Sequence, residues 1–264
     1  MNRIQFLATS ADLLAAKRGS TAVQSSHSQR CEWDAPHALF APLHYERNYA
    51  YPLIIWLHGP DDDERQLSRV MPLISMRNYV AVAPRATLAA EPAKHGDGER
   101  AKVGYEWLQT PDHILLAEHR VFTAKAAAER RFHVAGNRVF LAGFGCGGTM
   151  AMRLALNHPT VFAGAASFGG LFPSGYAPLG RLAEVRKLKL LLATCRDSLE
   201  YPPENVCEHL RLFHTAGLSV CLRQYPCGDE LTTTMLADMD RWIMDQFIAP
   251  SGAPLDAAAT QSGD

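Results

Sequence analysis

The chain has 264 residues, 26 Lys+Arg against 27 Asp+Glu, 47% apolar and 20% charged residues. A formal charge of -1 excludes a generally basic nucleic-acid binder, and the composition is that of an ordinary soluble globular protein with enough chain to bury a sizeable core. The longest apolar runs, Pro52 to Leu57 and Leu188 to Ala193, fall far short of the ~20 residues of a membrane helix. Cys31, Cys146, Cys195, Cys207, Cys221 and Cys227 include no CxxC pair and no Cys/His cluster at zinc spacing, so no metal and no cofactor are expected. With no secretory apolar stretch of usual form, the reading is a reducing, cytoplasmic setting in which free thiols pack as small hydrophobes.

Taken in chain order, Ala8 to Arg18 fits one short helix in an otherwise polar segment, and residues 1–34 are expected to be poorly ordered. Tyr51 to His58 reads as a strand buried on both faces. Glu64 to Met76 places Leu67, Val70, Met71 and Ile74 at helical spacing. Tyr79 to Ala83 is a second strand, and Asp112 to Arg131 a long helix capped by Asp112. Strands over Arg138 to Ala142, Val161 to Phe168, Leu188 to Ala193 and Leu218 to Tyr225 alternate with helices over Gly147 to Asn157, Glu204 to Thr215 and Leu231 to Ile248. Such alternation predicts a doubly wound, mostly parallel sheet flanked by helices, in one α/β domain over 35–249. Residues 250–264, mostly Pro, Gly, Ala, Ser and Asp, read as a disordered tail.

The most informative stretch is Arg138 to Ala151, a strand, a Gly-rich turn and a helix. This is the setting of a nucleophile elbow, Gly-x-Ser-x-Gly, whose outer glycines are required by crowding. Gly143 and Gly147 are present, but the central residue is Gly145.

Four segments in order carry a resemblance: Tyr51-Pro-Leu-Ile-Ile-Trp-Leu-His-Gly, the turn at 142–151, His158-Pro-Thr-Val-Phe-Ala-Gly, and Tyr225-Pro-Cys-Gly-Asp-Glu. Together, over roughly residues 37–248, the chain resembles the α/β-hydrolase superfamily, and within it the phospholipase/carboxylesterase (acyl thioesterase-like) group. The resemblance implies an α/β-hydrolase fold and a Ser, Asp, His triad in chain order. The matching positions are Gly145, Asp197 and Asp229.

Set against that pattern, the chain lacks the chemistry. Gly145 has no side chain to attack an acyl carbon. Asp229 stands where the resemblance implies His, and a carboxylate is a much weaker base. Asp197 would face a second carboxylate, which raises one pKa of such a pair. Pro60 occupies the position of one oxyanion donor and has no N–H, a loss worth about 10²–10³ in rate; Cys146 would supply the other donor through its backbone. The acidic run Asp61 to Glu64 is read as capping the helix that follows. His58 is read as structural, and Trp107 as a wall of the acyl pocket or a substrate contact. Metal binding by Asp197 and Asp229 would need further ligands, and none is identifiable by spacing.

Two readings stay open. One is a non-catalytic homologue of carboxylesterases and phospholipases that binds a small acyl or ester-like ligand or a protein partner, with no nucleic acid and no membrane span. The other is a residual or atypical carboxylic-ester hydrolase using Cys146, whose thiol at a helix N-terminus should have a lowered pKa.

Overall fold

The apolar Tyr51 to Leu57 run forms strand β2, buried along its whole length, in a computed structural model that describes residues 36–89, 104–176 and 179–248. The expected N-terminal segment with its helix, Cys31, and the C-terminal tail lie outside the described residues.

Before β2 comes β1 (His37–Phe40), and after it α1 (Gln66–Ile74), β3 (Val80–Pro84) and the short strands β4 (Leu88–Ala89) and β5 (Tyr105–Glu106). Then follow α2 (Pro111–Arg131), β6 (Val134–Phe144), α3 (Cys146–Asn157), β7 (Gly164–Phe168) and the one-turn α4 (Leu182–Val185). The chain closes with β8 (Lys189–Cys195), α5 (Pro203–Ala216), β9 (Ser219–Tyr225) and α6 (Thr233–Ile243), which runs into a π-helical turn over Met244–Ile248.

Seven strands form one sheet in the order β1-β3-β2-β6-β7-β8-β9. Only β1 runs antiparallel to its neighbour; every other pair is parallel. Side chains alternate between the faces of a strand, and the core divides accordingly. Leu53, Ile55 and Leu57 of β2, with Val139 and Leu141 of β6, meet α2, α3 and α5 on one face. Ile54 and Trp56, with Phe140 and Ala142, meet α1 and α6 on the other. Helices on both faces of a parallel sheet leave inner strands such as β2 and β3 buried along their whole length, whereas the edge strand β9 is mostly exposed or half-buried.

Several boundaries differ from the sequence reading. The helix expected from Glu64 starts at Gln66, with Arg65 at its N-cap and no side-chain cap bond. The long helix starts at Pro111 with Thr110 at the N-cap, so Asp112 lies in the first turn instead of capping it. Pro suits that first position because its missing N–H would have had no partner there. The closing helix begins at Thr233, where the Thr232 side chain accepts from the Met235 N–H, two residues later than expected. The strand expected from Arg138 begins at Val134, and the one expected from Val161 begins at Gly164.

Candidate functional site

The C-terminal ends of the parallel strands share one edge of the sheet, where doubly wound proteins place their sites. There β6 turns into α3 at Gly145, which has φ 52° and ψ -122°. Its N–H donates to the Phe168 carbonyl at 2.9 Å and its carbonyl accepts from Thr149 N–H at 3.0 Å. A positive φ strains any residue with a Cβ by about 1–3 kcal/mol, and glycine adopts it freely. The Pro60 ring also closes over this turn: a Cβ on Gly145 would lie 3.0 Å from Pro60 Cδ.

Pro60 belongs to the loop after β2, and that loop is tied down from several sides. His58 is fully buried. Its Nε2 lies 3.0 Å from Ala86 N–H and accepts from it, which leaves Nδ1 to donate to the Gly59 carbonyl at 2.8 Å. Burial pushes the His58 pKa down, consistent with a neutral ring committed to structure. Gln66 Oε1 accepts from Trp56 Nε1 at 2.7 Å and from Gly59 N–H at 3.2 Å, while its Nε2 donates to Asp62.

The acidic run does not cap α1 as expected. Asp62 pairs with Arg69. Asp63 accepts from the N–H of Arg65, before the first helical residue. Glu64 takes a two-pronged contact from Arg85, at 2.6 and 2.7 Å, and Arg85 lies over the Tyr105 ring at 4.7 Å. Burial would raise the Glu64 carboxyl, but the bonds and charge of Arg85 outweigh it and the pKa is lowered. A carboxyl lowered on folding stabilises above its unfolded pKa of about 4.3, and that contribution fades as pH falls through the folded value. Glu64→Gln is therefore expected to cost about 1–3 kcal/mol at pH 7, with the gap to wild type closing at pH 3. Urea denaturation at both pH values checks this; an equal gap at both would contradict it.

At the ends of β8 and β9 stand Asp197 and Asp229. Asp197 is exposed and held by its neighbour Arg196, at 3.1 and 3.2 Å; that bond lowers its pKa. Asp229 accepts from the Ser198 hydroxyl and from the N–H groups of Leu199 (2.9 Å) and Glu200 (3.4 Å). Asp229 is exposed, and the little desolvation it suffers works against ionisation, but these donors outweigh it and lower the pKa. The expectation that one carboxylate would raise the other's pKa is corrected: each has its own donors, and both are lowered.

Cys146 follows Gly145 at the start of α3 and is half-buried. Burial raises its thiol pKa, against the smaller opposing effect of N–H groups at Trp107, Gly147 and Cys146 itself. The lowering expected from a helix N-terminus is thus overturned by desolvation. Trp107 is buried, its ring 5.7 Å from that of His58.

Two participants escaped the sequence reading. Ser198 ties Asp229 to the Tyr201 N–H, from which its hydroxyl oxygen accepts at 2.8 Å. Arg153 of α3 is fully buried. It donates to Gln109 Oε1 (2.6 Å), Ser174 O (2.6 Å) and Gly175 O (3.1 Å). It thereby holds one wall of a cavity of about 620 Å³ bounded by Phe172, Ser174, Gly175, Leu179, His209 and Leu212. The Tyr201 hydroxyl lies 2.6 Å from His209 Nδ1. Trp107 does not line this cavity.

No protein-family model matches the sequence, and no curated protein matches it. Solved structures do match in fold. A carboxylesterase from Mesorhizobium loti superposes with a TM-score of 0.63 at 19% identity, covering 79% of this chain and 94% of its own. SOBER1 of Arabidopsis thaliana gives 0.61 at 19% identity, covering 74% and 99%. The Bacillus cereus carboxylesterase gives 0.60 at 12% identity, covering 80% and 94%. The chain has the α/β-hydrolase fold. Among the described residues no helix is long and apolar enough to cross a membrane, and no group of three or more His, Cys, Asp or Glu is gathered to hold a metal ion.

Proposed function

We propose that this α/β-hydrolase-fold protein is non-catalytic and binds a small acyl or ester-like ligand. The observation that carries the reading is the turn at Gly145. A nucleophile is absent where the fold would present one, and the Pro60 ring lies against the space its side chain would fill. Three further features support it. Pro60 offers no N–H to a developing oxyanion. Asp229, at the position that the resemblance gives to the base, is committed to Ser198 and two backbone donors and stays ionised. Cys146, the nearest thiol, is pushed toward its protonated, unreactive form. The apolar cavity beside α5 has a volume within the ~300–1,000 Å³ of small-molecule sites.

Hydrolysis of short p-nitrophenyl esters tests the catalytic half, with wild type run beside Cys146→Ala and Gly145→Ser. No variant is expected to exceed the background of a non-enzymic protein. Gly145→Ser is expected to remain inactive and to lose about 1–3 kcal/mol of stability from the strained turn. Turnover that disappears in Cys146→Ala would instead make Cys146 the nucleophile of an atypical ester hydrolase. Calorimetric titration with octanoate tests the binding half; absence of binding up to millimolar concentration would remove it.

A further inference from the structure

The loops after β8 and β9 are joined at their bases by a pair of thiols. Cys195 is the last residue of β8, and Cys227 lies two residues beyond β9. Both are buried, 2% and 9% exposed, with their sulfurs 3.1 Å apart. Backbone bonds fix the two segments side by side: Arg196 N–H to Tyr225 O at 2.8 Å and Asp197 N–H to Cys227 O at 3.0 Å. The other described thiols have different settings: Cys207 is exposed, and Cys146 and Cys221 are half-buried.

We propose that Cys195 and Cys227 form a dithiol that hydrogen peroxide oxidises to an intramolecular disulfide. A disulfide needs its sulfurs at about 2.05 Å, so the pair must close by about 1 Å, within reach of small side-chain rotations on a fixed backbone. Cys227, the less deeply buried, reacts first. Its thiolate attacks one peroxide oxygen, the O–O bond breaks, and a sulfenic acid and one water result. The Cys195 thiolate then attacks the Cys227 sulfur; the S–S bond forms, the S–O bond breaks, and a second water carries away the proton. Two thiols lose two electrons and peroxide gains them. Burial and the neighbouring Cys227 thiol push the Cys195 pKa up to about 12, so the second step, in which the Cys195 thiolate attacks, is the slow one. The bond would cross-link the bases of the two loops that already meet through Ser198 and Asp229.

The test is peptide mapping of the full chain carrying Cys207→Ser, which removes the exposed thiol. The folded protein is treated with peroxide, denatured, alkylated and digested with trypsin without reductant. The expected product links Leu190–Arg196 to Gln224–Arg241, each of which carries one cysteine, with a mass about 2 Da below the sum of the two reduced peptides. Reductant should separate them. In Cys195→Ala the linked product should vanish, and dimedone should trap a sulfenic acid on Cys227. Recovery of both peptides alkylated from oxidised protein would overturn the proposal, as would sulfinic acid on either cysteine without any linked product. The mapping of the Cys195-containing protein stands alone if Cys195→Ala fails to fold.

Discussion

Gly147→Ala is expected to abolish the native fold or to lower its stability by at least about 3 kcal/mol. Gly147 sits in the first turn of α3, pressed onto the end of β2. A Cβ there would overlap the carbonyl oxygens of Leu57 and His58 and would lie 2.8 Å from the Leu57 carbonyl carbon. These are backbone atoms of the last residue of the buried strand β2 and of the buried His58 after it, so no side chain can rotate away. Overpacking a well-packed core typically costs about 1–3 kcal/mol when side chains can adjust; here α3 would have to lift from the sheet, taking Met150, Leu154 and their contacts with it. Circular dichroism and urea denaturation check the result. A variant within about 1 kcal/mol of wild type would mean that β2 and α3 are not so closely apposed.

Arg153→Met is expected to lose about 3 kcal/mol and to loosen the segment at 174–176. The substitution keeps most of the side-chain length, so the effect is one of bonding more than volume. Bonds from a charged donor contribute about 1.5–3 kcal/mol each, and Arg153 makes three to neutral acceptors. The opposing gain is relief from burying a cation without a carboxylate among those three partners. Burial lowers the guanidinium pKa, opposed only by a neighbouring tyrosine. Such relief can offset much of a buried ion's contribution, but the Ser174 and Gly175 carbonyls would then be left without their donor. Arg153→Lys should recover less than half of the loss, because one ammonium cannot reproduce a planar fork reaching three acceptors. Urea midpoints and proteolysis near residue 175 provide the readouts. An Arg153→Met protein as stable and as protease-resistant as wild type would show that desolvation relief wins.

Much of the architecture is legible in the residues. β2 reads as a strand because seven consecutive positions are buried on both faces. α1 reads as a helix because Leu67, Val70, Met71 and Ile74 form the stripe it buries. The start of β6 is hidden for a local reason. Tyr51 pairs with Val134 but Leu53 pairs with Val139, a register shift that places the exposed Gly136 and Asn137 in a bulge, and Gly-Asn alone suggests a turn. β1 has four residues and no alternation long enough to show a period, and β4 and β5 have two residues each. These exist through pairing that a linear pattern does not carry.

The site divides in the same way. The Gly-rich turn at 143–147 shows itself because close backbone approach demands glycine. The partners of Asp229 do not show, because Ser198 lies 31 positions away and meets it only through the adjacency of β8 and β9. Arg153 is hidden inside an apolar helical run, where a lone basic residue normally reaches solvent. The pKa directions at Cys146, Asp197 and Asp229 were equally beyond the pattern, since each depends on which donors and how much burial the fold supplies.

The helix α3 is buried at every position from Gly147 to Leu156. A helix without a solvent face has no side on which to slide or unwind alone, so its amides should open only with the sheet itself, at the slow end of hydrogen exchange. Breathing at this edge of the molecule then belongs to the loops after β7, β8 and β9, while the Gly145 turn keeps a fixed shape whatever occupies the cavity beside α5.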